Sequence, residues 1–154
     1  MLHYVQQLLL FIINFIININ LLYFIYIMND WYKKLKKAPW SPPNKVFGVV
    51  WGILYTLLFI SFFLVWNNKK CFPYCDALTM FLIQLALNLT WTTVFFKLRM
   101  IRLALASIIL IIIFTIVTYT YFIKVSKIAA YLLLPYLAWL CLAGSLNAYI
   151  VLFN

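Results

Sequence analysis

Residues 46–68 read VFGVVWGILYTLLFISFFLVWNN, 23 residues without a charged side chain, bounded by Lys45 and Lys69. A hydrocarbon core of about 30 Å takes roughly 20 helical residues at about 1.5 Å each. This stretch is therefore long enough to cross a bilayer. Outward from it the pattern recurs: charge-free runs also occupy 1–29, 77–96, 103–123 and 128–154, of 29, 20, 21 and 27 residues. Backbone amides in lipid must bond within their own segment, so each run reads as a helix and none as an open strand. The alternating apolar/polar pattern of a membrane β-barrel is missing. The run at 1–29 has no Lys or Arg ahead of its apolar stretch and no small-residue cleavage site, so it reads as a retained helix. The expectation is an all-α integral membrane protein. It forms a single domain over 1–154, a five-transmembrane-helix bundle with spans near 5–27, 46–66, 77–96, 103–123 and 128–152.

Composition agrees. The chain is 68% hydrophobic and 9% charged, where an ordinary globular chain is about half apolar and about a quarter charged. A soluble enzyme, a disordered tail and a collagen-like repeat are excluded. The net charge of +10 rests on 12 basic and 2 acidic residues. So few polar residues cannot build a broad basic face, and no nucleic-acid partner is expected. Lys33, Lys34, Lys36, Lys37 and Lys45 fall in the first loop, and Lys97, Arg99 and Arg102 in the third. Only Lys69, Lys70, Lys124 and Lys127 lie in the loops on the other side. Positive loops stay cytoplasmic, which puts the N-terminus outside and the C-terminus in the cytoplasm. A bacterial membrane and the mitochondrial outer membrane are both compatible.

None of the runs contains Asp, Glu, Lys or Arg, the residues from which ion- and proton-coupled carriers build their relays. No Ser-His-acid set or phosphate-cradling loop is present, and His3 is the only histidine. Neither a conventional catalytic set nor a cofactor or metal is expected. Cys71 and Cys75 make only half a tetrahedral zinc set, and read equally well as a disulfide or as two free thiols.

Neutral polar and aromatic residues are arranged in stripes. Gln84, Asn88, Trp91 and Phe95 share one face of the third span, and Tyr136, Trp139, Ala143 and Asn147 one face of the fifth. Trp51, Tyr55 and Phe59 line the second. Aromatic walls with a few directed amides suit a flat hydrophobic ligand; amides also serve simply to join membrane helices. Trp31, Trp40 and Trp66 sit at or beyond span ends, where an interfacial belt accounts for them. Trp139 is twelve residues into its run, too deep for an anchor, and Trp51 is six into its own. Gly48 and Gly52 form a GxxxG that would admit a close helix neighbour, within the chain or from a second copy.

Three blocks carry a resemblance. The first runs from Trp31-Tyr32 through Leu35-Lys36-Lys37-Ala38-Pro39-Trp40-Ser41-Pro42-Pro43 to Val46-Phe47-Gly48-Val49-Val50-Trp51-Gly52-Ile53-Leu54-Tyr55. The second is Gln84-Leu85-Ala86-Leu87-Asn88-Leu89-Thr90-Trp91 with Phe95-Phe96, and the third Leu134-Pro135-Tyr136-Leu137-Ala138-Trp139 with Leu146-Asn147. In this order and spacing they resemble the TspO/MBR family of translocator proteins. The resemblance implies a five-helix membrane protein, commonly a homodimer, that meets lipid outside and binds porphyrins, other tetrapyrroles or flat hydrophobic ligands among its helices. It implies a ligand site at Trp51, Tyr55, Asn88, Trp91, Trp139, Ala143, Leu146 and Asn147. A first-loop lid would carry Trp31, Trp40, Pro42 and Pro43. Some bacterial members are credited with light-dependent porphyrin degradation, which would fall to Trp51 and Trp139. Leu103 and Ser107 stand where many animal members have Trp and Asp, and no basic residue follows Lys127 to complete a C-terminal sterol pattern. The alternatives to a porphyrin sensor, transporter or degrader are a ligand-regulated scaffold and a carrier of an unrelated small solute.

Overall fold

The computed structural model describes residues 30–154, and the expected first span at 5–27 lies outside them. The described chain is helical throughout: α1 (Asp30–Lys34), α2 (Asn44–Trp66), α3 (Asp76–Thr92), α4 (Ile101–Val125), α5 (Lys127–Leu132) and α6 (Leu134–Phe153). Among the described residues, four segments are long and apolar enough to cross a membrane: Asn44–Trp66, Asp76–Lys97, Ile101–Val125 and Lys127–Phe153. Val49 and Ile53 on α2 and Ile109, Ile113 and Ile116 on α4 stay exposed. In water such faces would be sticky patches; in a bilayer they are the surface that meets lipid tails. The chain is an all-α integral membrane helix bundle.

Local chemistry sets the helix ends. Proline disfavours the α region for the residue before it, so Pro42-Pro43 keeps the first loop extended, and α2 begins directly after Pro43 in polyproline geometry (φ −56°, ψ 142°). Asp76 places a negative charge in the first turn of α3, where the helix dipole favours it. Beyond Thr92 the helix widens into a π-turn over Thr93–Lys97, closed by Leu98 N donating to Thr93 O at 3.0 Å. A wider turn rotates less per residue, and the consecutive Phe95 and Phe96 are both buried. Arg99 then takes a left-handed conformation (φ 57°) in the tight turn into α4.

The fifth span is not one continuous helix. Pro135 has no N–H to give the Tyr131 carbonyl, and the helix breaks at Leu133 between α5 and α6. Ser126 caps α5 through Ala129 N–H···Oγ at 3.3 Å. Ala129 and Ala130 are fully buried, small enough for α2 to close on α5, and the Ser61 hydroxyl donates to Ala129 O at 2.7 Å. At this end Asn68 joins two loops, donating to Val125 O at 3.1 Å and accepting from the Lys70 amide at 3.0 Å. Cys71 and Cys75 are bonded to each other, with Cα atoms 4.9 Å apart, which resolves the two readings of that pair.

Packing follows chain order at the centre. α3 lies along α4 and α4 along α6, while α2 rests mainly on α5 and meets α6 only sparingly. Phe81 stacks on Phe122 at 5.7 Å and meets Phe62 at 5.3 Å, tying α3 to α4 and α2. At the opposite end, between α2 and α6, the bundle opens.

Candidate functional site

The opening is a narrow cleft; its empty space, counted together with the open solvent at its mouth, is about 460 Å³. Phe47 and Trp51 line it from α2, and Trp91, Phe95 and Phe96 from α3 and its π-turn. Trp139, Ala143, Leu146, Asn147 and Ile150 line it from α6, and Tyr32 from the first-loop helix. Its rings hold one another edge-on or stacked. Phe47 meets Trp139 at 5.5 Å and 67°, and Trp91 stacks on Phe95 at 5.1 Å and 17°. Offset and edge-to-face pairs of this kind contribute roughly 0.5–1.5 kcal/mol each beyond their area, so the walls are set before any ligand enters.

Two polar groups fix the walls to the bundle. Trp91 Nε1 donates to Ala104 O at 3.0 Å, which turns its ring toward the cleft. The Asn147 amide, with its nitrogen toward α4, bridges Ile101 O and Leu105 N, each at 3.1 Å. Trp139 is different: its buried Nε1 has no hydrogen-bond partner among the described residues. The cleft is thus apolar and aromatic, and an unpartnered indole N–H is buried within its wall.

Of the expected ligand residues, Trp51, Trp91, Trp139, Ala143, Leu146 and Asn147 come together around this space. Tyr55 and Asn88 do not line it. They stand behind Trp51, where Tyr55 stacks on that ring at 5.5 Å and its hydroxyl donates to Asn88 Oδ1 at 2.6 Å. The loop residues expected as a lid also lie outside the lining. Trp31 packs on Phe95 at 5.9 Å beneath the Arg99 guanidinium, 5.7 Å from its ring. Trp40 crosses to α6, donating to Ser145 Oγ at 3.2 Å and packing on Tyr149 at 5.5 Å. Pro42 and Pro43 shape the entry to α2. These side chains hold the two ends of the loop, and Tyr32 between them faces the cleft.

Tyr32 was not expected. It is buried against Phe96 at 5.6 Å, with the Lys37 ammonium 4.4 Å above its ring. Burial pushes its phenol up, and a hydrogen bond with Ser41 draws it part of the way back; it is neutral at neutral pH. Phe47, Phe96 and Ile150 were also passed over. Phe47 had a signal, since 47, 51, 55 and 59 continue one stripe at intervals of four. A loop tyrosine has no such periodicity to reveal it.

An aromatic cleft between membrane-spanning helices, with Tyr32 of the first-loop helix in its wall, defines a class: polytopic membrane proteins with an apolar cleft inside the bundle. The chain belongs to the TspO/MBR family, whose model matches residues 9–152. It is 39% identical over 119 residues to the translocator protein of Homo sapiens, covering 76% of this chain and 70% of the relative. It is 38% identical over 127 residues to the tryptophan-rich protein TspO of Archaeoglobus fulgidus, covering 82% of each. Against the tryptophan-rich sensory protein of Cereibacter sphaeroides it is 34% identical over 119 residues, covering 77% and 73%.

Proposed function

We propose that this chain is a single membrane domain whose cleft binds a porphyrin or another flat hydrophobic tetrapyrrole, for sensing, transport or light-dependent degradation. The observation that carries the reading is the convergence of Trp51, Trp91 and Trp139 on one apolar cleft. A planar aromatic guest stacks on those rings. Lys37, held over Tyr32 at the cleft wall, supplies positive charge for a carboxylate at the mouth.

Titrating the purified protein with protoporphyrin in detergent, and following tryptophan fluorescence, tests this. Saturable quenching is expected, weakened in Trp51→Phe and Trp139→Phe. Quenching that never saturates, or that is the same in both variants, defeats the proposal. Illuminating the complex and watching porphyrin absorbance separates a degrading protein from one that only binds.

A second reading, a ligand-regulated interaction protein working as a homodimer, draws on Gly52. A Cβ built there meets nothing within 4 Å among the described residues, so this half of the GxxxG is left open to a neighbour. Gly52→Leu shifting the protein to monomer without altering porphyrin quenching supports the dimer; an unchanged oligomeric state removes it.

A further inference from the structure

Behind the Trp51 wall lies a second set of polar groups that the cleft does not use. Gln84 is fully buried in α3, and both its amide nitrogen and its amide oxygen are without a hydrogen-bond partner among the described residues. Asn88 follows it by one turn on the same face, 4% exposed, and its oxygen is taken by the Tyr55 hydroxyl. The Tyr136 hydroxyl, on α6 and fully buried, lies beside Asn88 and Tyr55. Asn88 acts on it electrostatically, but hydrogen-bond geometry joins it to no described residue. Helix register brings two more oxygens to this level. α3 and α4 run antiparallel, with Phe81 on Phe122 and Trp91 on Ala104, so Gln84 falls level with Thr115 and Thr118. Both threonines are fully buried. Their hydroxyls donate to Ile111 O and Phe114 O at 2.7 Å, which leaves their lone pairs free to accept.

Three orphaned groups in one buried layer are not tolerable as they stand. A buried donor or acceptor left without a partner carries its full desolvation penalty, and lipid offers no relief from outside. A helix bundle with an apolar residue at 84 would avoid the penalty. We infer that Gln84, Tyr136 and Asn88 form an internal water site behind Trp51, in which bound water bridges the Gln84 amide to the Tyr136 hydroxyl. The chemistry fits water better than any larger guest. The site offers donors and acceptors in both senses, as the two to four partners of a buried water require. No charge is present among its members, and the Trp51 ring, 6.4 Å from Tyr136, separates it from the cleft. This inference stands independently of what occupies the cleft.

The test uses the full chain in lipid nanodiscs, without any ligand. Magnetisation transfer from water to the Gln84 side-chain amide protons should give a cross-peak, and Tyr136→Phe should abolish it. Absence of the peak in the unsubstituted protein overturns the proposal, as does a peak unaffected by Tyr136→Phe. Thermal unfolding gives a second readout. Gln84→Met keeps the side-chain volume, and loss of a bridging water should lower Tm by about 2–4 °C for each kcal/mol lost. If the amide is an orphan, the same change raises Tm, and the water site is wrong. In the double variant with Tyr136→Phe the two effects should be less than additive, since both remove the same bridge; full additivity counts against it.

Discussion

Replacing Trp139 by Phe removes one N–H and keeps an aromatic face toward Phe47, 5.5 Å away. The smaller ring gives up aromatic contact of about 0.5–1.5 kcal/mol, so Kd for a planar aromatic ligand should rise by about 2–12-fold. The ligand-free protein should lose little stability, because the position is only partly buried and the N–H being removed has no partner among the described residues. Fluorescence titration alongside thermal unfolding measures both. Asn147 behaves in the opposite way. Its amide is spent on Ile101 O and Leu105 N, so Asn147→Leu should destabilise the ligand-free protein by about 1–3 kcal/mol, read as a lower Tm before any ligand is added. Two residues lining one cleft are thus told apart by whether stability or affinity moves. Sequence stripes located both, because 139 and 147 recur on one helical face. They did not distinguish a spent amide from a free indole, which depends on what α4 presents across the gap. Asn88 and Tyr55 illustrate the same limit: their stripe positions are right for a site, yet they stand one layer behind it.

The first loop is an element with two fastenings and a short route between them. Lys36 and Asn154 exchange a pair of bonds: Lys36 N donates to Asn154 Oδ1 at 2.9 Å, and Asn154 Nδ2 donates to Lys36 O at 3.1 Å. Trp40 adds its contacts to Ser145 and Tyr149 further along α6. Neither fastening touches the cleft, but Tyr32 in α1, just ahead of them in the chain, does. Asn154→Ala should therefore speed ligand entry and exit together, with a much smaller change in Kd, and should raise hydrogen exchange at the Lys36 amide. Stopped-flow quenching and exchange measurements check the two halves; a slower exit rate refutes the latch. The span boundaries were legible because charge marks them, as at Lys45 and Lys69 on either side of the second run. The break at Leu133 was not, although Pro135 stood in view. Within an apolar run a proline permits a kink or a restart, and only the packing of Ala129 and Ala130 against α2 selects the restart.

At the scale of the molecule the two ends of the bundle are chemically unlike. One carries the cleft, the first loop and the turn at Leu98–Met100, with most of the basic residues. The other carries the Asn68 junction and the Cys71–Cys75 disulfide. Two independent arguments orient the chain the same way. Basic loops remain cytoplasmic, which predicts a cytoplasmic cleft end, and disulfides persist on oxidising faces, which predicts the 67–75 loop on the opposite side. The fold alone favours neither orientation, since a helix bundle packs identically either way up. Labelling decides it. In a Cys141→Ser background, an impermeant reductant followed by an impermeant maleimide should tag Cys71 and Cys75 from the outer face of intact cells or right-side-out vesicles, and leave them untouched in inverted ones. Labelling only in inverted vesicles would reverse the orientation and open the cleft outward, so that Lys37 and its neighbours would meet an external ligand. The same reduction removes a five-residue covalent loop, worth about 2 kcal/mol on a chain-entropy estimate. Tm should fall accordingly, while fluorescence quenching by protoporphyrin at the cleft, at the far end of α3, should be unchanged by the reduction.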